Sequence, residues 1–142
     1  MLIEKAIMEH NTGKIILVDA VHTLIVEDAG EFVIFEPMQA LLDEFPNRKI
    51  VVTGADDEQF QKFNLGSVPY EVFTLKHQPE KTDPEYFRIL LEQFRLSPDQ
   101  AVYFEHDSRA VESAKSIGIV SCLYDSERKD LVALREFLNN NL

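Results

Sequence analysis

An α/β fold, with a parallel sheet flanked by helices in a three-layer, Rossmann-like arrangement, is predicted by three observations. Short apolar runs alternate along the chain with stretches of helical periodicity, the pattern of βαβ units. Three of those runs, at residues 14–19, 49–53 and 101–105, are apolar almost throughout, as strands covered on both faces must be. The chain has 142 residues, 45% of them hydrophobic, enough for one core that buries about 68–70% of the unfolded surface.

The elements follow in order. Residues 14–19 run apolar until Asp19 and form the first strand. Leu24 to Val26 and Phe32 to Phe35 flank a loop containing Gly30, which predicts a β-hairpin flap directly after that strand. Residues 37–45 open on Pro37 at a first-turn position and place Met38, Leu41, Leu42 and Phe45 at helical spacing. Residues 49–53 form the next strand, ending in Thr53. The Asp56-Asp57 pair suits the start of a helix over 56–63, and 70–75 is a weaker strand. A helix over 84–94 carries Phe87, Leu90, Leu91 and Phe94 on one face. Residues 101–105 lead into Glu105-His106-Asp107. A helix over 108–117 opens on Ser108 and closes on Gly118 at the C′ position. A strand over 119–123 and a helix over 127–138, with Leu131, Leu134 and Leu138 in phase, complete the chain.

Composition narrows the function classes. Fourteen Lys and Arg stand against 25 Asp and Glu, a net charge of −11; no unaided nucleic-acid binding and no binding to anionic membranes is expected. Cys122 is the single cysteine, which rules out an internal disulfide framework. It sits in an apolar run, as a small core residue does. No apolar stretch reaches the about 20 residues that span a bilayer. Residues 1–10 carry Glu4 and Glu9 and lack the apolar segment of a signal peptide, so a cytoplasmic location is expected. With five glycines there is neither a P-loop nor a dinucleotide fingerprint.

Ligands of open α/β sheets bind beyond the carboxyl ends of the strands. The polar residues that end the apolar runs therefore gather at one rim: Asp19, Thr53, the Glu105-His106-Asp107 cluster, and Lys76 or Lys81 after the intervening strand. Carboxylates suit a hard cation such as Mg²⁺, whereas Lys and Thr suit anionic oxygens. Metal, carboxylate nucleophile and anion clamp together describe phosphoryl transfer. His10 and His77 show no metal-ligand spacing, and strand alternation would aim His22 away from Asp19.

Four segments carry a resemblance. Ile15-Ile-Leu-Val-Asp19-Ala-Val-His-Thr23 resembles the first motif of the haloacid dehalogenase superfamily, a strand ending in Asp-x-Asp-x-Thr, with Val21 in place of the second Asp. Ile50-Val-Val-Thr53-Gly is similar to the second motif. Lys81-Thr-Asp-Pro84 resembles the third, and Val102-Tyr-Phe-Glu-His-Asp107 the fourth. The resemblance spans residues 14–123. It implies that Asp19 is the nucleophile and forms an aspartyl-phosphate, and that Thr53 and Lys81 hold the transferring oxygens. It also implies a Mg²⁺ site of Asp19, the main-chain carbonyl of Val21, and Asp107, the last directly or through water. Superfamily phosphatases carry their general acid/base at position 21, a contribution of about 10²–10⁴-fold that Val21 does not supply.

Residues 20–52 and 54–80 leave 33 and 27 positions at the two places where the superfamily inserts cap domains, too few for either. A single domain over residues 1–142 without a cap is expected, its site open to a phosphorylated small molecule or macromolecule. A second copy of the chain is a candidate cover for that opening. Three functions stay in view. They are a Mg²⁺-dependent phosphatase, a catalytically impaired binding or regulatory protein on the same fold, and a dehalogenase-type hydrolase.

Overall fold

The computed structural model describes residues 13–142; the reading of residues 1–10, His10 included, lies outside the described residues. Five parallel strands form one sheet: β1 (Ile15–Asp19), β4 (Lys49–Thr53), β5 (Glu71–Thr74), β6 (Ala101–Glu105) and β7 (Val120–Leu123), in the order β5-β4-β1-β6-β7. β2 (Ile25–Asp28) and β3 (Glu31–Ile34) pair antiparallel as the predicted hairpin. Ala29 and Gly30 at its tip both have positive φ, 52° and 83°, the backbone of a two-residue type I′ turn.

Helices cover both faces because alternate residues of each central strand point opposite ways. Ile16, Val18, Val51, Val102 and Phe104 face one side, where α1 (Glu36–Leu42) brings Met38, Leu41 and Leu42 and α5 (Leu131–Asn141) brings Leu134 and Leu138. Ile15, Leu17, Ile50, Val52 and Tyr103 face the other side. There α3 (Pro84–Gln93) brings Tyr86, Phe87 and Leu90, and α4 (Ser108–Ser116) brings Ala114. The Phe87 and Tyr103 rings pack with centroids 5.0 Å apart. α2 (Asp57–Lys62) has no fully buried residue and is held at its start by a reciprocal capping box between Asp56 and Gln59.

Two boundaries differ from expectation. Asp107, not Ser108, caps α4, its carboxylate accepting from the Arg109 amide at 2.9 Å. The other end of α4 is as predicted: Gly118 has φ +95°, and the Gly118 and Ile119 amides donate to the Lys115 and Ala114 carbonyls, a Schellman closure. The last helix starts at Leu131 rather than 127 because Asp125 accepts from the Glu127 and Arg128 amides and turns the chain there, and Asp130 becomes the cap.

β1 is central, and the chain leaves it in opposite directions, to β4 and β5 on one side and later to β6 and β7 on the other. The carboxyl ends of β1 and β6 therefore meet at the topological switch point, where such sheets bind ligands. Leu17 lies within this frame with no exposed surface. Leu17→Ala is expected to lower unfolding free energy by about 2–5 kcal/mol, read from the midpoint of urea denaturation at unchanged slope.

Candidate active site

Asp19 is the last residue of β1 and is 1% exposed. Beyond it the chain folds into a tight turn: the amides of Thr23, Leu24 and Ile25 all reach the Ala20 carbonyl, at 3.2, 2.9 and 2.9 Å. The turn returns the Thr23 hydroxyl to Asp19, to which it donates at 2.7 Å (Oδ2). His22 adopts φ +72° inside it. Strand alternation therefore does not apply at this position, and His22 lines the same pocket as Asp19, contrary to the sequence expectation.

Four charged groups close a ring at the switch point. Lys81 Nζ donates to Asp19 Oδ1 at 2.6 Å and to Glu105 Oε1 at 2.7 Å. His106 Nδ1 contacts Asp19 Oδ2 and lies 3.1 Å from Glu105 Oε2. Each carboxylate thus meets Lys81 with one oxygen and His106 with the other. Glu105 is fully buried and also accepts from the Tyr103 hydroxyl and, at 3.1 Å, from the Asp107 amide.

These contacts set the charge states. Burial alone disfavours a charge on Asp19, but Lys81 and His106 beside it hold its carboxyl well below the usual range. Burial acts against Lys81 as well, and the carboxylates of Asp19 and Glu105 nevertheless keep its ammonium charged far into the alkaline range. Hydrogen bonds to Asp19 and then Glu105 push His106 up to about 10. Glu105 moves the other way: burial, then the neighbouring charge of Asp19, raise its carboxyl. Tyr103 is raised by burial and by Glu105.

Of the residues singled out from sequence, Asp19, Val21, Thr53 and Lys81 line one open pocket of about 270 Å³. Thr53 is 6% exposed. Its amide donates to the Tyr86 hydroxyl at 3.0 Å, and its carbonyl accepts from the same hydroxyl at 2.8 Å. Between the two candidate lysines the geometry selects Lys81, since Lys76 pairs with Asp57 on the surface at 2.9 Å. Asp107 stands outside the ring. Its carboxylate caps α4 and binds the Arg109 guanidinium at 3.1 Å, which lowers its pKa. Glu105 and His106, whose roles the sequence left open, take part in the ring instead. Sequence reasoning missed His77, Glu80 and Gln59, which line the pocket wall opposite no motif; their spacing of 3 and 18 residues follows no pattern that periodicity could expose.

No family model and no curated protein matches the chain by sequence. Solved structures do match in three dimensions. A haloacid dehalogenase family enzyme from Bacteroides thetaiotaomicron, in complex with magnesium and inorganic phosphate, aligns at TM-score 0.63 and 13% identity, over 80% of this chain and 94% of that one. A haloacid dehalogenase superfamily hydrolase from Geobacter sulfurreducens aligns at TM-score 0.53 and 20% identity, over 73% and 57%. The chain has the haloacid dehalogenase fold. An uncharacterized protein from Corynebacterium glutamicum shares it at TM-score 0.61 and 15% identity, over 89% and 96%. At these identities the likeness is one of fold.

Within the haloacid dehalogenase fold, the ring contains the one group of three His or carboxylate side chains, among the described residues, whose ligand atoms converge. Asp19, Glu105 and His106 present theirs within 4.8 Å of one another. Two carboxylates fit a hard divalent cation; a helix long and apolar enough to cross a membrane is absent among the described residues. The His106 contacts carry a stability consequence. A histidine raised from 6.5 to about 10 in the folded state stabilises fully below its unfolded pKa, and that stabilisation is lost as pH rises through the folded one. In EDTA, the stability gap between wild type and His106→Gln is expected to be widest below about pH 6.5 and to close toward pH 10, as measured by urea melts across pH. A gap that widens with pH would contradict the assignment.

Proposed function

We propose that the chain is a hydrolase of the haloacid dehalogenase type that acts on phosphomonoesters, with Asp19 as nucleophile. The observation that carries this reading is the buried Asp19 carboxylate, held ionised by Lys81 at 2.6 Å, at the pocket that Thr53 also lines. An ionised carboxylate fixed at a strand end is a nucleophile that requires no activating base. Lys81, shared between Asp19 and Glu105, restrains Asp19 in the attacking orientation and offers positive charge to the phosphoryl oxygens. The Thr53 hydroxyl, now satisfying the Ala55 amide at 3.2 Å, is the neutral donor on the same wall.

Mg²⁺ is the cofactor of this reading; Asp19 and Glu105 would hold it, with the Val21 carbonyl as the main-chain ligand that the superfamily resemblance implies. When bound it neutralises phosphoryl charge that the net charge of −11 otherwise repels. The segments between Asp19 and Thr53 and between Thr53 and Lys81 are taken up by the hairpin and α1, and by α2 and β5, which supports a site reached without a cap domain and a substrate large enough, or a second copy near enough, to exclude water.

A second reading, a binding or regulatory protein, is favoured by one observation. Lys81 and His106 already engage every oxygen of Asp19 and Glu105, a ring that is satisfied without turnover. The two readings separate experimentally. Under the first, phosphomonoesters are hydrolysed in Mg²⁺, EDTA stops turnover, and Asp19→Asn abolishes it; an unchanged rate in Asp19→Asn would exclude Asp19 as nucleophile. Under the second, Mg²⁺ and beryllofluoride bind with no turnover of any phosphoester. Under that second reading, Val21→Asp is expected to raise hydrolysis above the wild-type background by up to about 10²-fold, toward the range that general acid/base catalysis supplies, measured as phosphate release at saturating substrate.

A further inference from the structure

Val21 offers no proton to a leaving group, yet the pocket holds an imidazole that the motifs do not account for. His77 lines the same pocket as Asp19 and Lys81. Its Nδ1 contacts Glu80 Oε1 at 2.8 Å, and its Nε2 contacts Gln59 Oε1 at 2.5 Å. Gln59 Oε1 already accepts from the Asp56 amide at 3.0 Å, which identifies it as the amide oxygen rather than the nitrogen. Both neighbours of the ring are therefore acceptors, so each ring nitrogen faces a partner suited to an N–H. The arrangement suits an acid: a carboxylate orients one ring nitrogen, and the other faces a neutral, exchangeable acceptor.

The backbone is committed to this placement. Lys76 and His77 are consecutive non-glycine residues with φ +52° and +67°, a left-handed conformation that costs energy and persists only where its surroundings fix it. The Lys76–Asp57 pair at 2.9 Å ties the loop to α2. Gly54, directly after Thr53, lets the loop close in. A Cβ there would lie 3.2 Å from Glu80 Oε2 and 3.3 Å from His77 Nδ1.

We propose that His77, oriented by Glu80, is the general acid/base of this site, supplying from the β5–α3 loop what position 21 lacks. The inference rests on the hydrolase reading above. In the first step Asp19 Oδ forms a bond to phosphorus, the bond from phosphorus to the leaving-group oxygen breaks, and the His77 Nε2 proton passes to that oxygen. In the second, water attacks the aspartyl-phosphate, the bond between phosphorus and Asp19 breaks, and the water proton passes to Nε2. Phosphate and alcohol leave, and His77 is again protonated.

The test compares leaving groups. Dinitrophenolate departs from its phosphate ester without protonation, whereas the far more basic phenolate requires it. In single-turnover experiments, His77→Asn is expected to slow phenol release about 10²-fold or more while changing dinitrophenol release by less than about threefold. Glu80→Gln should produce a smaller loss with the same leaving-group dependence, as befits a positioning residue. It also stands as the test, together with His77→Gln, should His77→Asn not fold by circular dichroism. Equal losses on both substrates, or no loss on either, would overturn the role of His77 while leaving the hydrolase reading intact. A wild-type protein inert toward both, and indistinguishable from Asp19→Asn, would overturn both together.

Discussion

Two carboxylates, Asp19 and Glu105, sit side by side at the ends of adjacent strands with almost no exposure, and the rest of the site is arranged around that fact. Like charges this close cannot both be ionised in a low-dielectric setting without compensation. Lys81 and His106 supply it from either side, each bridging one oxygen of each carboxylate. The compensation is unequal in effect: Asp19 is held ionised while the pKa of Glu105 is raised. The environment thus separates two chemically similar groups into one carboxylate held ionised and one that the Tyr103 hydroxyl and the Asp107 amide tie into the fold.

The placement of those charges follows from topology. Because β1 is central and the strand order runs away from it in opposite directions, the ends of β1 and β6 flank the switch-point crevice where ligands of such sheets bind. Val18 pairs with Phe104, so the next residues, Asp19 and Glu105, emerge together. Apolar side chains beneath them, such as Val18, Phe104 and Tyr103, exclude water from that level of the sheet. Low dielectric strengthens each contact of the ring and makes an unpaired member costly. Fold stability and the electrostatics of the site are coupled for this reason.

Much of this was legible in residue order. The apolar runs located the five parallel strands, and Asp19, Thr53 and Lys81 were drawn to one rim by the strand-end rule and by the resemblance to four motifs. The inward turn of Glu105 and His106 was not legible, and the strand-end rule by itself left Lys76 and Lys81 open. The first two sit next to Asp107, which has the better cap chemistry, and a linear sequence does not say which of three adjacent polar side chains turns inward. The choice between lysines depended on a loop that places Lys76 against α2 and leaves Lys81 free to reach the strand ends. Strand alternation fails at His22 because the turn after Asp19 puts that residue at positive φ rather than in extended backbone.

The sequence by itself determined the layers of the fold, the order of its elements and the identity of the residue that ends the central strand. These follow from hydrophobic periodicity and from strand-end chemistry, which are local properties of the chain. Tertiary structure alone decided which charges share a proton environment and which imidazoles face the pocket. Those outcomes depend on distances of about 3 Å between residues as far apart as Asp19 and His106, 87 positions in the chain, and on left-handed turns at His22 and at Lys76–His77. Coulomb energy and hydrogen bonding vary with such distances far more steeply than any composition or period can record.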